Sequence, residues 1–223
     1  MAWSVHDETR LRDLPRQYAS THTLDRACKA GSGGRLQQSK ERNPAPHTVQ
    51  AEAVAQALAG SLAVAIYTSP LERARTSAEV IAKPHRLEPV IEPDFREMAF
   101  GAWEGLHRDE VAARHPTEAA AWAGTPHVVT PPGGEALTAV DARVRAALAA
   151  LIERHRGETV ILVSHAIVTR LIVLAALGLG PDRLWSVDAS PAGITEIEYL
   201  DAWATVHCMN TLAHLDGLRE DGA

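Results

Sequence analysis

Three segments of this 223-residue sequence carry side chains placed to handle an anion. Thr159-Val-Ile-Leu-Val-Ser164-His165-Ala166 is an apolar run that stops on Ser-His and passes into a helix-like pattern. An α/β protein presents a histidine in this way at the carboxyl end of a buried strand, where open parallel sheets bind their ligands. Ile66 to Ala78 again follows an apolar strand, Leu62 to Tyr67, and opens a helix at Ser69-Pro70. Arg73 therefore stands just past a strand end, at a helix start whose amide groups attract anions. Its planar guanidinium can hold two oxygens at once and stays charged at any working pH. The third segment, Phe95 to Gly105, sets Glu97 among Phe95, Phe100 and Trp103, an apolar wall in which a carboxyl can act as a proton donor. Each residue alone has a plainer reading: a core histidine satisfied by backbone, a surface arginine paired with Glu72 or Glu79, a solvated carboxylate paired with Arg96. Their conjunction points to a site.

The elements that must carry these residues alternate from Thr48 onward, which implies parallel strands joined by right-handed crossovers. Val49, Ala53, Val54 and Leu58 recur at helical spacing over 48–59, and Leu71, Ala74, Ala78 and Ile81 do so over 70–82. A short extended segment near Pro89 to Glu92 leads to Glu97. Helical pieces near 107–124, broken at Pro116 and Gly124, form a cap-like insertion. Thr130-Pro-Pro-Gly-Gly-Glu135 reads as a turn whose glycines permit close approach to a ligand. A helix from Leu137 to about His155 stops at Gly157, strand 159–163 delivers His165, and a helix spans 166–178. Gly193 to Leu200 and Ala204 to Met209 alternate like a terminal strand pair. Residues 1–47 are rich in Arg, Gln, Ser and Thr, with Gly31-Ser-Gly-Gly34 and Pro44-Ala-Pro46, and offer little that would make a buried central strand.

Read in order, Ser69-Pro-Leu-Glu-Arg73-Ala, Arg96-Glu97-Met-Ala-Phe-Gly101-Ala-Trp-Glu104-Gly105, Pro132-Gly-Gly134-Glu135 and Val163-Ser-His165-Ala resemble the histidine phosphatase superfamily, which includes the phosphoglycerate mutases. The resemblance covers 48–215 and implies a three-layer α/β/α sandwich with a mostly parallel central sheet and a small helical cap insertion, one domain over 1–223. It implies Arg73 on the phosphate, His165 on its oxygens, Glu97 as general acid, Gly134 and Glu135 at the substrate, and Glu104 as a structural residue. It also implies an Arg-His-Gly nucleophile motif before the helix at Thr48-Val-Gln50-Ala. No such motif is present. His6, in Val5-His6-Asp7-Glu8-Thr9, resembles it in local sequence but lies 44 residues before Gln50; His22 lies 28 before Gln50, the family's spacing, but Thr21 and Thr23 replace the arginine and glycine. A third reading is that neither serves, and that the change of character at residue 47 marks a replaced or misread amino-terminal coding region.

Composition excludes several classes. Lysine plus arginine total 22 against 28 acids, a net charge of −6, so no basic field favours nucleic acid or an anionic membrane. The longest apolar stretch, around Leu171 to Leu177, falls well short of a membrane span, and the first thirty residues lack a signal-peptide core. Cys28 and Cys208 are isolated, no His pair has metal-ligand spacing, and the expectation is a cytoplasmic protein, monomer or homodimer, without metal or cofactor. The leading function is a metal-independent phosphatase acting on small phosphomonoesters through a phosphohistidine. The alternatives are a family member that binds a phosphorylated ligand or partner without turnover and, given the short interval between Glu97 and the Pro-Gly-Gly turn, less favourably a phosphoglycerate mutase.

Overall fold

A computed structural model describes residues 18–22 and 45–218. Its centre is a six-stranded sheet in the order β3-β2-β4-β1-β5-β6, formed by β1 (Tyr18–His22), β2 (Ala63–Thr68), β3 (Val90–Ile91), β4 (Thr159–Ser164), β5 (Ile194–Tyr199) and β6 (Ala204–Thr211). β3, β2, β4 and β1 run parallel, and β5 and β6 close one edge antiparallel. The parallel strands need crossovers, and helices supply them, α1 (Ala45–Leu58), α2 (Glu72–Ala82) and α5 (Leu137–Arg154), while α6 (Ala166–Ala176) leads from β4 toward the antiparallel pair.

The strand period of two sorts the core into two halves. Val160 and Leu162 of β4 face one way, onto Val140, Val144, Leu148 and Leu151 of α5 and Leu171 and Leu174 of α6. Ile161 and Val163 face the other way, onto Val54 and Leu58 of α1 and Ala78 and Ile81 of α2. Because β4 is covered on both faces it carries apolar residues at consecutive positions, which made it readable from sequence. Two short helices, α3 (Arg108–Arg114) and α4 (Pro116–Gly124), form the cap. Glu110 accepts from the His107 amide at 2.7 Å to start α3, and Pro116 stands at the first position of α4, where its missing N–H has no consequence. Trp122 locks the cap down: its ring meets Trp103 at 6.1 Å and Trp185 at 5.7 Å in edge-to-face geometry, and the Trp185 indole donates to the Trp122 carbonyl at 2.9 Å.

One expectation is corrected. The amino-terminal region, read as offering little for a buried central strand apart from Tyr18-Ala-Ser-Thr before His22, places β1 between β4 and β5, in register from Tyr18 opposite Val160 to His22 opposite Ser164. A strand paired on both sides satisfies its amides and carbonyls through its neighbours, and the ladder does not require an apolar run.

Candidate active site

β2, β4 and β1 lie side by side and end level, with Thr68 opposite Val163 and Thr21 opposite the same Val163. The residues just past each strand end are therefore collected along one edge of the sheet. The Ser69 amide extends the β2–β4 pairing by donating to the Val163 carbonyl at 3.1 Å, after which Pro70 turns the chain into α2. Arg73 sits in the first turn of that helix, where Ser77 Oγ donates to the Arg73 carbonyl at 3.0 Å. β4 ends at Ser164, and His165 is the cap residue of α6.

His165 is wholly buried, and its Nε2 lies 2.7 Å from Ser69 Oγ. The Ser69 oxygen also accepts the Leu71 amide at 3.2 Å, so one hydroxyl ties the ends of β2 and β4 together and fixes the imidazole's orientation. This role for Ser69 has no signature in the sequence beyond its place before Pro70.

Glu97 reaches the same place from a different direction. Its segment runs through a 3-10 turn at Pro93–Phe95, and the carboxylate turns inward, 2 % exposed. Oε1 accepts the Met98 amide at 2.9 Å, and Oε2 lies 3.4 Å from the amide of Ile167, in the first turn of α6 and two residues past His165. Arg96 turns the opposite way, to Glu135 at 3.3 Å and Asp94 at 3.6 Å. Pairing of Glu97 with Arg96, the plainer reading, is not what forms. Glu104 accepts from the Phe100 and Gly101 amides at 3.0 and 3.2 Å, a turn-closing role.

The Pro-Gly-Gly turn packs backbone on backbone against this segment. A Cβ on Gly134 would stand 2.6 Å from the Ala99 carbonyl oxygen, and one on Gly101, whose φ is +53°, would collide with the Pro132 carbonyl. Glu135 is occupied by Arg143, which holds both its oxygens at 2.8 and 2.9 Å. Burial alone would raise the Glu135 carboxyl, but the hydrogen bonds and charge of Arg143, with Arg96 and the Ala99 backbone, hold it below the usual carboxylate range. Gly134 and Glu135, read from sequence as substrate contacts, thus meet the Glu97 segment in this structure. Arg143 was missed; its only sequence signal is a charged residue adjoining the buried stripe Val140 and Val144 of α5.

Of the two nucleophile candidates, His6 lies outside the described residues. The backbone of His22 ends β1 directly opposite Ser164, one residue before His165. Adjacent strands are about 4.8 Å apart, so the backbone of His22 lies one strand spacing from that of Ser164.

The cap and the loop before β5 line a cleft of about 990 Å³, with Trp103, Val111, Trp122, Trp185 and Arg170 among its walls; Arg73, Glu97 and His165 are not among them. Arg170 is engaged: it donates to the Leu184 and Val187 carbonyls, pairs with Asp188 at 2.9 Å and stacks over Trp185. Among the described residues, no group of three or more His, Cys, Asp or Glu is placed to hold a metal ion, and no helix is long and apolar enough to cross a membrane.

The model of the histidine phosphatase superfamily, branch 1, matches residues 48–212. The chain belongs to this superfamily. Phosphoserine phosphatase 1 of Hydrogenobacter thermophilus is 32% identical over 166 residues, 74% of this chain and 79% of that protein. The adenosylcobalamin/alpha-ribazole phosphatase of Escherichia coli is 26% identical over 148 residues, 66% of this chain and 73% of that protein. The structure of Bacillus stearothermophilus YhfR superposes with a TM-score of 0.76 at 25% identity, covering 89% of this chain and all of the other. The mostly parallel sheet with flanking helices is thus a histidine phosphatase fold, and the chain is a phosphoric monoester hydrolase of that superfamily.

Proposed function

We propose that the chain hydrolyses small phosphomonoesters without a metal ion, through a phosphohistidine formed on His22. The observation that supports this reading is the register of β1, in which His22 stands opposite Ser164, the residue before His165. A lone pair of the His22 imidazole attacks phosphorus in line, and the P–O bond of the ester breaks. Arg73 and His165 balance the charge on the phosphoryl oxygens, and Glu97 gives its proton to the departing oxygen, releasing the alcohol. In the second step the Glu97 carboxylate takes a proton from water, the oxygen attacks phosphorus, and the P–N bond breaks to return His22 and free phosphate. Glu97, held against the first turn of α6, is within the same cluster as His165 in both steps.

A mutase needs a second phosphate subsite, and the basic residues on the cleft wall, Arg108 and the already engaged Arg170, do not supply a matching cluster. The relatives' names include a phosphoserine phosphatase and an adenosylcobalamin/alpha-ribazole phosphatase, which supports a phosphomonoester substrate; a cytoplasmic site of action is part of the same proposal. The binding-only reading draws on one observation, that Thr21 and Thr23 stand where the resemblance calls for arginine and glycine. Hydrolysis of 4-nitrophenyl phosphate by the full chain in chelator, beside Glu97→Gln, separates the two. Turnover lost in the variant, with phosphate binding retained, supports catalysis; phosphate binding without turnover in the parent chain supports the binder.

A further inference from the structure

The segment that carries Glu97 lacks regular secondary structure around it, yet it is buried: Phe95 and Met98 are fully enclosed and Glu97 nearly so. Its carbonyls therefore need partners, and one side chain approaches three of them. Arg143 Nη1 donates to the carbonyls of Asp94 and, at 2.9 Å, Arg96, and Nη2 approaches the carbonyl of Glu97 itself at 3.5 Å. Two more are held from the site's other elements: Ser164 Oγ donates to the Phe95 carbonyl at 2.8 Å, and the Glu135 amide to that of Ala99 at 2.8 Å. Arg143 is itself fixed by the Glu135 carboxylate and is only 11 % exposed. Lysine could not reproduce this, because a guanidinium offers five donors in a rigid plane and an ammonium does not.

We propose that Arg143, oriented by Glu135, is a positioning residue for the proton donor: it sets the backbone on both sides of Glu97 and thereby aims the carboxyl at the leaving oxygen. The inference rests on Glu97 being the general acid. A misaimed acid has a signature that simple loss of structure lacks, because an alkoxide leaving group needs the proton and a 4-nitrophenolate hardly does.

The experiment measures kcat/KM for 4-nitrophenyl phosphate, phenyl phosphate and an alkyl phosphate, O-phosphoserine, with the full chain, Arg143→Gln, Arg143→Lys, Glu135→Gln and Glu97→Gln. The expected result for Arg143→Gln is a loss of roughly 100-fold on the alkyl ester and about threefold or less on 4-nitrophenyl phosphate, with KM little changed. Glu135→Gln shows the same pattern more weakly, and Arg143→Lys recovers only part of the alkyl activity. Equal losses on all three esters in Arg143→Gln, while Glu97→Gln discriminates among them, would overturn the role given to Arg143. Should Arg143→Gln not fold, Glu135→Gln, which leaves the arginine in place, decides by the same comparison. Absence of discrimination in Glu97→Gln removes the general-acid reading and this inference with it.

Discussion

The ends of β2 and β4 and the end of β1 meet along one edge of the sheet, yet they are written in the sequence in opposite ways. Leu62 to Tyr67 and Thr159 to Val163 are apolar, and each leads at once into side chains with chemistry, Ser69 and Arg73 in one case and His165 in the other. Tyr18-Ala-Ser-Thr-His22 is largely polar, and its His22 stands between Thr21 and Thr23 where the family has arginine and glycine. The first pair is specified by what it buries: Ile66, Ile161 and Val163 pack on α1 and α2 while Tyr67, Val160 and Leu162 pack on α5 and α6. β1 is specified by its neighbours, parallel to β4 and antiparallel to β5, with backbone pairing doing what hydrophobic pattern does elsewhere. A central strand can thus be hidden from composition while its position in the ladder is fixed.

Changes at the two regions should break or sharpen this contrast. The largest effect is expected at β1: His22→Ala should cost on the order of 10³-fold or more in turnover, because removing a nucleophile leaves only binding and electrostatic stabilisation. His6→Ala should change the rate little, and steady-state hydrolysis of 4-nitrophenyl phosphate compares the two. Next, restoring the family's flanking residues with Thr21→Arg and Thr23→Gly should raise kcat/KM about tenfold, the worth of one charge-assisted hydrogen bond to phosphate. No gain would mean that the flanks of His22 do not face the phosphate. At the β2–β4 pair, Ser69→Ala removes the hydroxyl that orients His165; a net hydrogen bond of about 1 kcal/mol predicts a loss of roughly fivefold in kcat, with thermal stability nearly unchanged.

The smallest effect concerns pH. The Glu135 carboxyl lies below its ordinary value in the folded chain, so its contribution to stability is full above about pH 4.5 and declines as pH falls through the folded value. His214 is also lowered, chiefly by burial and against the Ala192 carbonyl it meets at 2.9 Å, so it favours the folded state fully above about pH 6.5 and less below. Urea denaturation midpoints between pH 7 and pH 3 should fall in two stages, and Glu135→Gln should flatten the lower one.

Much of this arrangement was legible. Apolar runs ending abruptly marked β2 and β4, helical spacing marked α1 and α2, glycine stops after helix-like stretches marked α5 and α6, and Pro116 marked the break in the cap. His165 could be placed from sequence because a strand end in a doubly covered sheet has only one place to be. The Pro-Gly-Gly-Glu turn shows the limit: its glycines announced a close approach but not of what, and the structure brings the Ala99 carbonyl there. Arg143 was invisible for a related reason, since its partners are backbone carbonyls of residues 46 to 49 positions away, which leave no mark in side-chain type.

The central claim is that the β1 ladder puts a nucleophile beside His165, and quench-and-map mass spectrometry tests it most directly. The full chain is mixed with 4-nitrophenyl phosphate, quenched within its first turnovers under conditions that preserve phosphoramidates, and digested. The account predicts an added phosphoryl group on the peptide containing His22 and its absence in His22→Ala. A phosphoryl group on the peptide containing His6, or turnover undiminished in His22→Ala, would contradict it.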